Sequence, residues 1–309
     1  MKKFLLYVLA GLLFSAVFMV LYAGGFDSFA PFLTGGSMVM AVILWALGFA
    51  LAAFIFSIVT KDHSWIDRIY SILPVGFAWF YAYRSGFSPG PSAGAALVLI
   101  WGTRLTFNFA RRGGYSGMED YRWPILKKRI TNPFLWQLFN LFFISLTQCG
   151  LFVLLTYPVY YLTLFTAGNL PVLFWIFAVL GIVFVCIEFT ADQQQWNFQA
   201  AKSCAREHRN YPMKYIDDIK NGFLSKGLFG LSRHPNYFGE LGFWWALWLT
   251  ALVINLDLLG SGLFGPILVT IMMSGSTALA ESISSSKYPA YRIYRKKVTS
   301  PVVFWFPGK

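Results

Sequence analysis

The chain has 309 residues, of which 57% are hydrophobic and only 12% are charged. Soluble globular domains carry about 25% charged residues, so this composition excludes an ordinary soluble protein and, more firmly, a disordered one. The net charge is +12, which by itself would suit a nucleic-acid partner. The three cysteines, Cys149, Cys186 and Cys204, are too widely spaced for a disulfide framework or a zinc motif.

Apolar runs of about 20 residues recur along the chain, long enough to cross a bilayer as helices. We predict a single transmembrane domain over 1–309, with two spans within 1–60 and a catalytic core over 61–309. In chain order the eight predicted spans are Lys3–Tyr22, Met38–Val59, Trp65–Tyr83, Ala93–Ala110, Phe134–Tyr160, Pro171–Thr190, Tyr237–Ile254 and Leu263–Ser284. The apolar run of the first is longer than that of a signal peptide, which favours an uncleaved span over a cleaved leader.

Basic residues are distributed unevenly between the two sides of these spans. If the N-terminus is cytoplasmic, nearly all of the 25 lysines and arginines lie at cytoplasmic ends and loops, as the positive-inside rule predicts. The exceptions are Arg84, which lies outside, and Arg104, which lies within a span. We therefore predict an all-α polytopic helix bundle with both termini cytoplasmic. Its basic charge would face anionic lipid headgroups, and no nucleic acid is needed as a partner.

Five of the predicted spans carry polar residues near their cytoplasmic ends, and each set is spaced to lie on one helical face. These residues are Asp67, Tyr70 and Pro74; Arg104, Asn108, Arg111 and Arg112; Glu188, Asp192, Gln195, Gln199 and Lys202; Asn236 and Glu240; Ser274, Thr277, Glu281 and Ser284. A charge in mid-span costs about 2.5–3.5 kcal/mol, so each needs a compensating role. We predict that the faces converge on a polar cavity open to the cytoplasm. The alternative is that they only join helices or extend to the interface.

The segment G-L-S-R-H-P-N-Y-F-G-E, which ends at Glu240, indicates a helix N-terminus. Pro235 suits the first helical position, because its missing N–H is not needed there. Arg233 and His234 beside the free N–H groups would form a site for phosphate or carboxylate. Asn236 and Glu240, one turn apart, would face the cavity. His234 could equally serve only to cap the helix.

The string R-H-P-N-Y-F-G-E in this segment, followed by two tryptophans, resembles the signature of the steroid 5α-reductase-like membrane family, and most of all its bacterial DUF1295 branch. Further matches are W-I-D-R-I-Y at 65–70, W-G-T-R-L at 101–105, E-D-Y-R-W at 119–123, A-D-Q-Q at 191–194 and Y-P-A-Y-R-I-Y at 288–294. The resemblance covers roughly residues 60–309. It implies a multi-helix protein of the bacterial inner membrane with a cytoplasm-facing cavity for NADPH.

The resemblance also implies an NADPH-dependent oxidoreductase that reduces a C=C bond conjugated to a ketone in a steroid or another lipophilic small molecule. Asp67, with Tyr70, and Glu281 are the expected catalytic residues, which would polarise the substrate carbonyl. The residues expected to bind NADPH are Arg104, Asn108, Arg112, Asp192, Gln195, Arg233, His234, Asn236, Tyr237, Glu240 and Arg292. The basic ones would hold the phosphates, and Asp192 with the polar residues of 236–240 would hold ribose and carboxamide. No metal is expected.

Two departures from the family pattern leave alternatives open. The reductases place a substrate-binding tyrosine where this chain has Trp101, which leaves the proton donor and the steroid nature of the substrate open. A wider superfamily that shares R-H-P-x-Y uses S-adenosylmethionine for methyl transfer, usually with a Glu-Glu pair where this chain has Glu281-Ser282. A membrane methyltransferase and a non-catalytic lipid-binding protein of the same fold are therefore competing hypotheses.

Overall fold

The regular secondary structure of this protein is entirely helical in the part that the structure, a computed structural model, describes. That part comprises residues 37–165 and 168–298. All regular elements within it are helices, and it contains no strand, which confirms the predicted all-α class. The first predicted span, Lys3–Tyr22, lies outside the described residues.

The helices follow one another in an order close to that of the predicted spans. They are α1 Met38–Thr60, α2 Trp65–Ile69, α3 Leu73–Arg84, α4 Pro89–Arg111, α5 Arg122–Arg129, α6 Pro133–Phe139, α7 Gln148–Leu162, α8 Val172–Arg206, α9 Ile216–Asn221, α10 Pro235–Asn255, α11 Phe264–Lys287 and α12 Tyr291–Lys297. A π-helix, Asn140–Thr147, joins α6 to α7. Two 3-10 turns, Met213–Tyr215 and Gly227–Gly230, lie in the polar segment before α10.

Six helical stretches of the described chain are long and apolar enough to cross a membrane. They are α1, α4, the continuous stretch Pro133–Leu162 from α6 to α7, α8, α10 and α11. Each coincides with one of the predicted spans, within a few residues at most ends. The polytopic membrane character is therefore confirmed, whereas the total of eight spans and the cytoplasmic side of the termini stay predictions.

The third predicted span, Trp65–Tyr83, is not one continuous helix. It forms the short α2 and the 12-residue α3, because Pro74 cannot donate a hydrogen bond to the carbonyl of Tyr70 and its ring crowds that turn. At 1.5 Å per residue α3 is about 18 Å long, too short for a hydrocarbon layer of about 30 Å. The break places Asp67 and Tyr70 where the backbone turns rather than on a spanning face.

The sixth predicted span is longer than expected. It ends at Arg206 rather than Thr190 and has 35 residues, about 52 Å at the α-helical rise. A bilayer core of about 30 Å cannot cover this length, so the last turns extend beyond it. Glu188 and Asp192 lie within this one continuous helix, as expected from their spacing on a single helical face.

Helix α7 is the central element of the bundle. In the stretch that contains it, 67% of the apolar window is buried, compared with 22% in α1 and 28% in α8. It packs against α1, α3, α4, α10 and α11, whereas the outer faces of α1 and α8 leave large apolar side chains exposed. Such faces suit contact with lipid chains. The polar residues of α4, α8 and α10 therefore meet inside the bundle, at the end with the long polar loops.

Candidate functional site: a charged and apolar cavity

A cavity of about 390 Å³ lies among the helices at this end of the bundle. Its wall is formed by α2, α4, α7, α8, α10 and α11, together with the residues at the start of α5. The sequence-predicted residues that line it are Asp67, Tyr70, Arg104, Asn108, Arg112, Asp192, Asn236, Tyr237 and Glu240. Most of the polar stripes thus meet in one chamber, as the sequence predicts.

Arg104 lies at the centre of the charged wall, where it is 7% exposed. Its Nη1 donates to Oδ2 of Asp192 at 2.7 Å, and its Nη2 lies 2.5 Å from Oε1 of Glu188. Oε2 of Glu240 is 3.6 Å from the same Nη2. The planar guanidinium can address several carboxylates at once, so one residue of α4 connects to α8 and α10.

Asp192 is surrounded by donors. Its Oδ2 also accepts from Nδ2 of Asn108 at 2.8 Å, and Nη2 of Arg112 lies 3.5 Å from its Oδ1. Oδ1 of Asn108 in turn accepts two bonds from Arg111, at 3.0 and 2.7 Å. This arrangement fixes the amide of Asn108 with its NH₂ toward the carboxylate, so Asp192 accepts hydrogen bonds from Arg104 and Asn108 and has a second guanidinium, Arg112, nearby.

Glu240 is held by two tryptophans. Nε1 of Trp101 donates to its Oε2 at 2.9 Å, and Nε1 of Trp244 donates to its Oε1 at 2.8 Å. Trp101 stands where the resemblance described above implies a tyrosine, and its indole N–H donates to Glu240. Sequence reasoning assigned no role to either indole. The spacing of four residues between Glu240 and Trp244, which places both on one helical face, was the signal available.

Gly239 allows α8 and α10 to approach closely beside these carboxylates. A Cβ at this position would lie 2.7 Å from the carbonyl oxygen of Phe184 and 2.7 Å from Cβ of Glu188. Such separations are well inside van der Waals contact, so only glycine fits. The close approach is what brings Glu188 of α8 and Glu240 of α10 to the same guanidinium.

Asp67 occupies a separate part of the wall. Its Oδ2 accepts from Nε1 of Trp123 at 2.8 Å, and Nη2 of Arg122 lies 3.7 Å from its Oδ1. Burial raises the pKa of the Asp67 carboxyl above its ordinary value, and the Arg122 guanidinium opposes that rise. Burial also raises the pKa of the nearby Tyr70 hydroxyl. Arg122 and Trp123 belong to the E-D-Y-R-W segment, which carried the family resemblance but had been given no role.

Much of the cavity lining is apolar. The π-helix, α7 and α11 contribute Phe143, Leu151, Val269, Met272, Met273 and Leu279. Phe143 lies in the π-helix. Gln148, the first residue after the π-helix, adds an amide to the cavity lining. Local π-helical turns are frequent at functional sites. The chamber therefore combines charged groups, which come mainly from α4, α8 and α10, with apolar side chains, which come mainly from α7 and α11.

Glu281 does not line the cavity, and its expected role at the substrate carbonyl is corrected. Its carboxylate lies 2.5 Å from Nε of Arg233, 3.3 Å from Nε of Arg295 and 3.6 Å from Nε2 of His234. It comes after Leu279, the last lining residue of α11. At that level the helix meets the chain before α10 and the C-terminal α12, so Glu281 joins these segments.

The phosphate site expected at Arg233 and His234 is also corrected. Arg233 is engaged by Glu281 and donates from Nη1 to the carbonyl oxygen of Val298. His234 makes no side-chain cap bond at the start of α10, and its ring stacks on that of Tyr237 with centroids 5.2 Å apart. Neither residue lines the cavity. His234 instead packs against Tyr237, and Tyr237 lines the cavity.

Two further expected cofactor contacts lie away from the chamber. Gln195 is half-buried on α8, about one turn beyond Asp192, where the helix has passed the cavity. Arg292 is exposed on α12, because Tyr291 and Tyr294 of that helix are the side chains that pack inward. Both assignments to the cavity wall are therefore corrected.

Metal ligation finds no support in the described part of the chain. No group of three or more histidine, cysteine, aspartate or glutamate side chains there is placed to hold a metal ion. The carboxylates of the cavity are matched instead by arginine, asparagine and tryptophan donors.

Comparison with known proteins places the chain in a family. The family described as "Protein of unknown function (DUF1295)" matches residues 53–298. The chain belongs to the DUF1295 family. It is also 33% identical over 281 residues to the Uncharacterized protein C594.04c of Schizosaccharomyces pombe, covering 87% of this chain and 78% of that protein. No solved structure matches.

Proposed function

We propose that the protein is a membrane-embedded, NADPH-dependent reductase of a C=C bond conjugated to a carbonyl in a lipophilic substrate. The observation that carries the proposal is a single cavity with both charged and apolar lining. It offers guanidinium, amide and phenol groups for a polar cofactor, and Phe143, Met272 and Met273 for a hydrocarbon skeleton. The resemblance of R-H-P-N-Y-F-G-E to the steroid 5α-reductase-like family supports the same reading.

The residues of the charged wall fit parts of NADPH, which supplies the hydride when it is bound. Arg112 has a side chain that is 42% exposed and can pair with a phosphate group. Asn236 and Tyr237 line the chamber beside it and offer an amide and a phenol for ribose or carboxamide groups. Arg104 already pairs with three carboxylates of the protein. Its role is therefore to hold Asp192 and Glu240 in place rather than to bind a phosphate.

Asp67 and Tyr70 suit the substrate carbonyl. Burial favours the protonated form of the Asp67 carboxyl, and a neutral carboxylic acid can donate a hydrogen bond where negative charge develops on the oxygen. The Tyr70 hydroxyl, whose pKa is raised by burial, remains a neutral donor in the same wall. These two groups lower the barrier by stabilising the carbonyl oxygen as it gains charge.

A methyltransferase that uses S-adenosylmethionine is the second candidate, and the charge of the cavity favours it. The lining holds five carboxylates and three guanidiniums, namely Asp67, Asp120, Glu188, Asp192, Glu240, Arg104, Arg112 and Arg122. An excess of carboxylates suits a sulfonium cation better than a set of phosphates. The reductase remains the first proposal because the methyltransferases usually carry a Glu-Glu pair where this chain has Glu281-Ser282.

Cofactor binding separates the candidates. In detergent-purified protein we expect energy transfer from the cavity tryptophans to the reduced nicotinamide of NADPH, with saturation. Arg112→Gln should weaken NADPH binding about tenfold, a loss of about 1.4 kcal/mol, and Arg84→Gln, at the far end of α3, should leave it unchanged. Binding of S-adenosylmethionine alone would establish the second candidate. Binding of neither ligand at millimolar concentration leaves a lipid-binding protein.

We also infer that the cavity faces the cytoplasm of a bacterial inner membrane, in a bundle of eight spans whose third crossing is α3 extended by the chain at its two ends. The support is the distribution of basic residues, because the polar loops at the cavity end carry most of them. Reporter fusions to loop 112–132 and to loop 256–263 test it. Cytoplasmic signal is expected only from the first, and the reverse result contradicts this orientation.

A further inference from the structure

The three carboxylates around Arg104 are unequally supplied with hydrogen-bond donors. Asp192 accepts from Arg104 and Asn108, and each oxygen of Glu240 accepts from an indole. Glu188 has one charged partner, Arg104, whose Nη2 lies 2.5 Å from its Oε1. Among the described residues no group donates to its Oε2, which is buried. Glu188 is thus the least stabilised as an anion.

The surroundings of Glu188 carry more negative than positive charge. Arg104, from α4, lies within 4 Å of Glu188, Asp192 and Glu240, and Arg112 lies 3.5 Å from Asp192. Within 4 Å, two guanidiniums therefore face three carboxylates, while the Arg111 guanidinium is bonded to Asn108 and Gln193. A buried carboxylate oxygen without a donor is unfavourable, and like charges at short range keep one of a group protonated. One proton held among the three removes the imbalance.

We propose that Glu188 holds this proton and is the proton-carrying acid of the cavity. In the neutral acid, Oε1 is the carbonyl oxygen toward Arg104 and Oε2 carries the hydrogen. The sequence reading placed Glu188 on the polar stripe but gave it no role at the site. The other titratable groups that line the cavity with it are Asp67, Tyr70, Arg104, Arg112, Asp120, Tyr121, Arg122, Asp192, Tyr237 and Glu240, and Arg111 lies next to them, bonded to Asn108.

Its role in the reaction rests on the proposed reductase function. Addition of hydride to the β-carbon of the conjugated carbonyl moves the C=C electron pair toward the oxygen, which Asp67 and Tyr70 stabilise. The α-carbon then requires a proton. Glu188 supplies it: its O–H bond breaks, a C–H bond forms at the α-carbon, and water returns a proton to the carboxylate. This assigns the substrate-carbonyl donor and the carbon proton donor to different residues.

The protonation state is testable without any cofactor. In the Asp67→Asn background, which removes the other candidate acid, the infrared spectrum at pH 7 should contain the carbonyl stretch of a protonated carboxylic acid, shifted in D₂O. Glu188→Gln should abolish this band, Glu188→Asp should shift it, and Glu281→Gln, a buried but arginine-paired control, should leave it. Circular dichroism verifies that each variant is folded.

A titration in the same Asp67→Asn background gives an independent test that keeps Glu188 intact. Adding Asp192→Asn removes a neighbouring negative charge, so ionisation of Glu188 becomes easier and the band should disappear at a lower pH than in Asp67→Asn alone. Absence of the band, its survival in Glu188→Gln, or a shift to higher pH in Asp192→Asn would overturn the proposal. None of these results depends on NADPH, so a failure here is distinct from a failure of the reductase proposal, which cofactor binding decides.

Discussion

The close contact of α8 and α10 at Gly239 predicts that Gly239→Ala destabilises the protein. The added methyl group would meet two backbone atoms, the carbonyl oxygen of Phe184 at 2.7 Å and the nitrogen of Glu188 at 3.0 Å, as well as Cβ of Glu188 at 2.7 Å. Backbone atoms of a helix cannot rotate away as a side chain can. The two helices must therefore separate by a few tenths of an ångström or more.

Two opposing contributions set the magnitude. Overpacking of this kind costs about 1–3 kcal/mol, and replacing a helical glycine by alanine gains about 1 kcal/mol in intrinsic propensity. We expect a net loss of up to about 2 kcal/mol in the free energy of unfolding. Because the separation also moves Glu188 and Glu240 relative to Arg104, ligand binding in the cavity should weaken as well.

The matched control is Gly76→Ala in α3. No atom lies within 4 Å of a Cβ built at Gly76, so this variant should gain up to about 1 kcal/mol from propensity alone. Unfolding in mixed detergent micelles, followed by circular dichroism, measures both variants against wild type. If Gly239→Ala is as stable as Gly76→Ala, the inferred contact between α8 and α10 is wrong.

Three further predictions concern the donors around the carboxylates. Arg233→Gln removes the nearest partner of Glu281 and should cost about 3 kcal/mol of unfolding free energy; adding Glu281→Gln should recover most of it, and no recovery contradicts the pairing. Trp244→Phe deprives Glu240 of a donor and should cost about 1–3 kcal/mol in the same assay. Trp123→Phe removes a hydrogen bond that lowers the pKa of Asp67. The Asp67 carboxyl then stays protonated to higher pH, so the alkaline limb of the kcat/KM profile for reduction should move to higher pH. A shift to lower pH refutes the role of Asp67 as a protonated donor.

The membrane fold could be read from the sequence because it depends on local composition. A run of about 20 apolar residues is sufficient for a span, and α1, α4, α10 and α11 therefore begin and end close to the predicted positions. The predicted span Trp65–Tyr83 was wrong as a continuous helix although Pro74 was visible. Apolar content fits both a continuous and a broken helix, and neighbouring elements decide which of the two forms.

The convergence of the stripes was also predictable, since helical spacing fixes which residues share a face. Arg104, Asp192 and Glu240 meet because three faces were polar at one depth. The sequence could not decide how far along each helix the chamber extends. Gln195 and Glu281 satisfy the same spacing yet lie beyond it, because their position depends on helix length and tilt.

The sequence by itself determined that the chain is a helical membrane protein with polar faces directed inward. Only the tertiary structure decided which groups pair with each carboxylate. Glu240 accepts hydrogen bonds from two indoles, Glu281 pairs with Arg233, and Glu188 pairs with a guanidinium that it shares with two other carboxylates. The physical reason is range. Helix formation and membrane insertion depend on neighbours a few residues apart, whereas hydrogen bonds and ion pairs join atoms within about 3–4 Å whatever their separation along the chain.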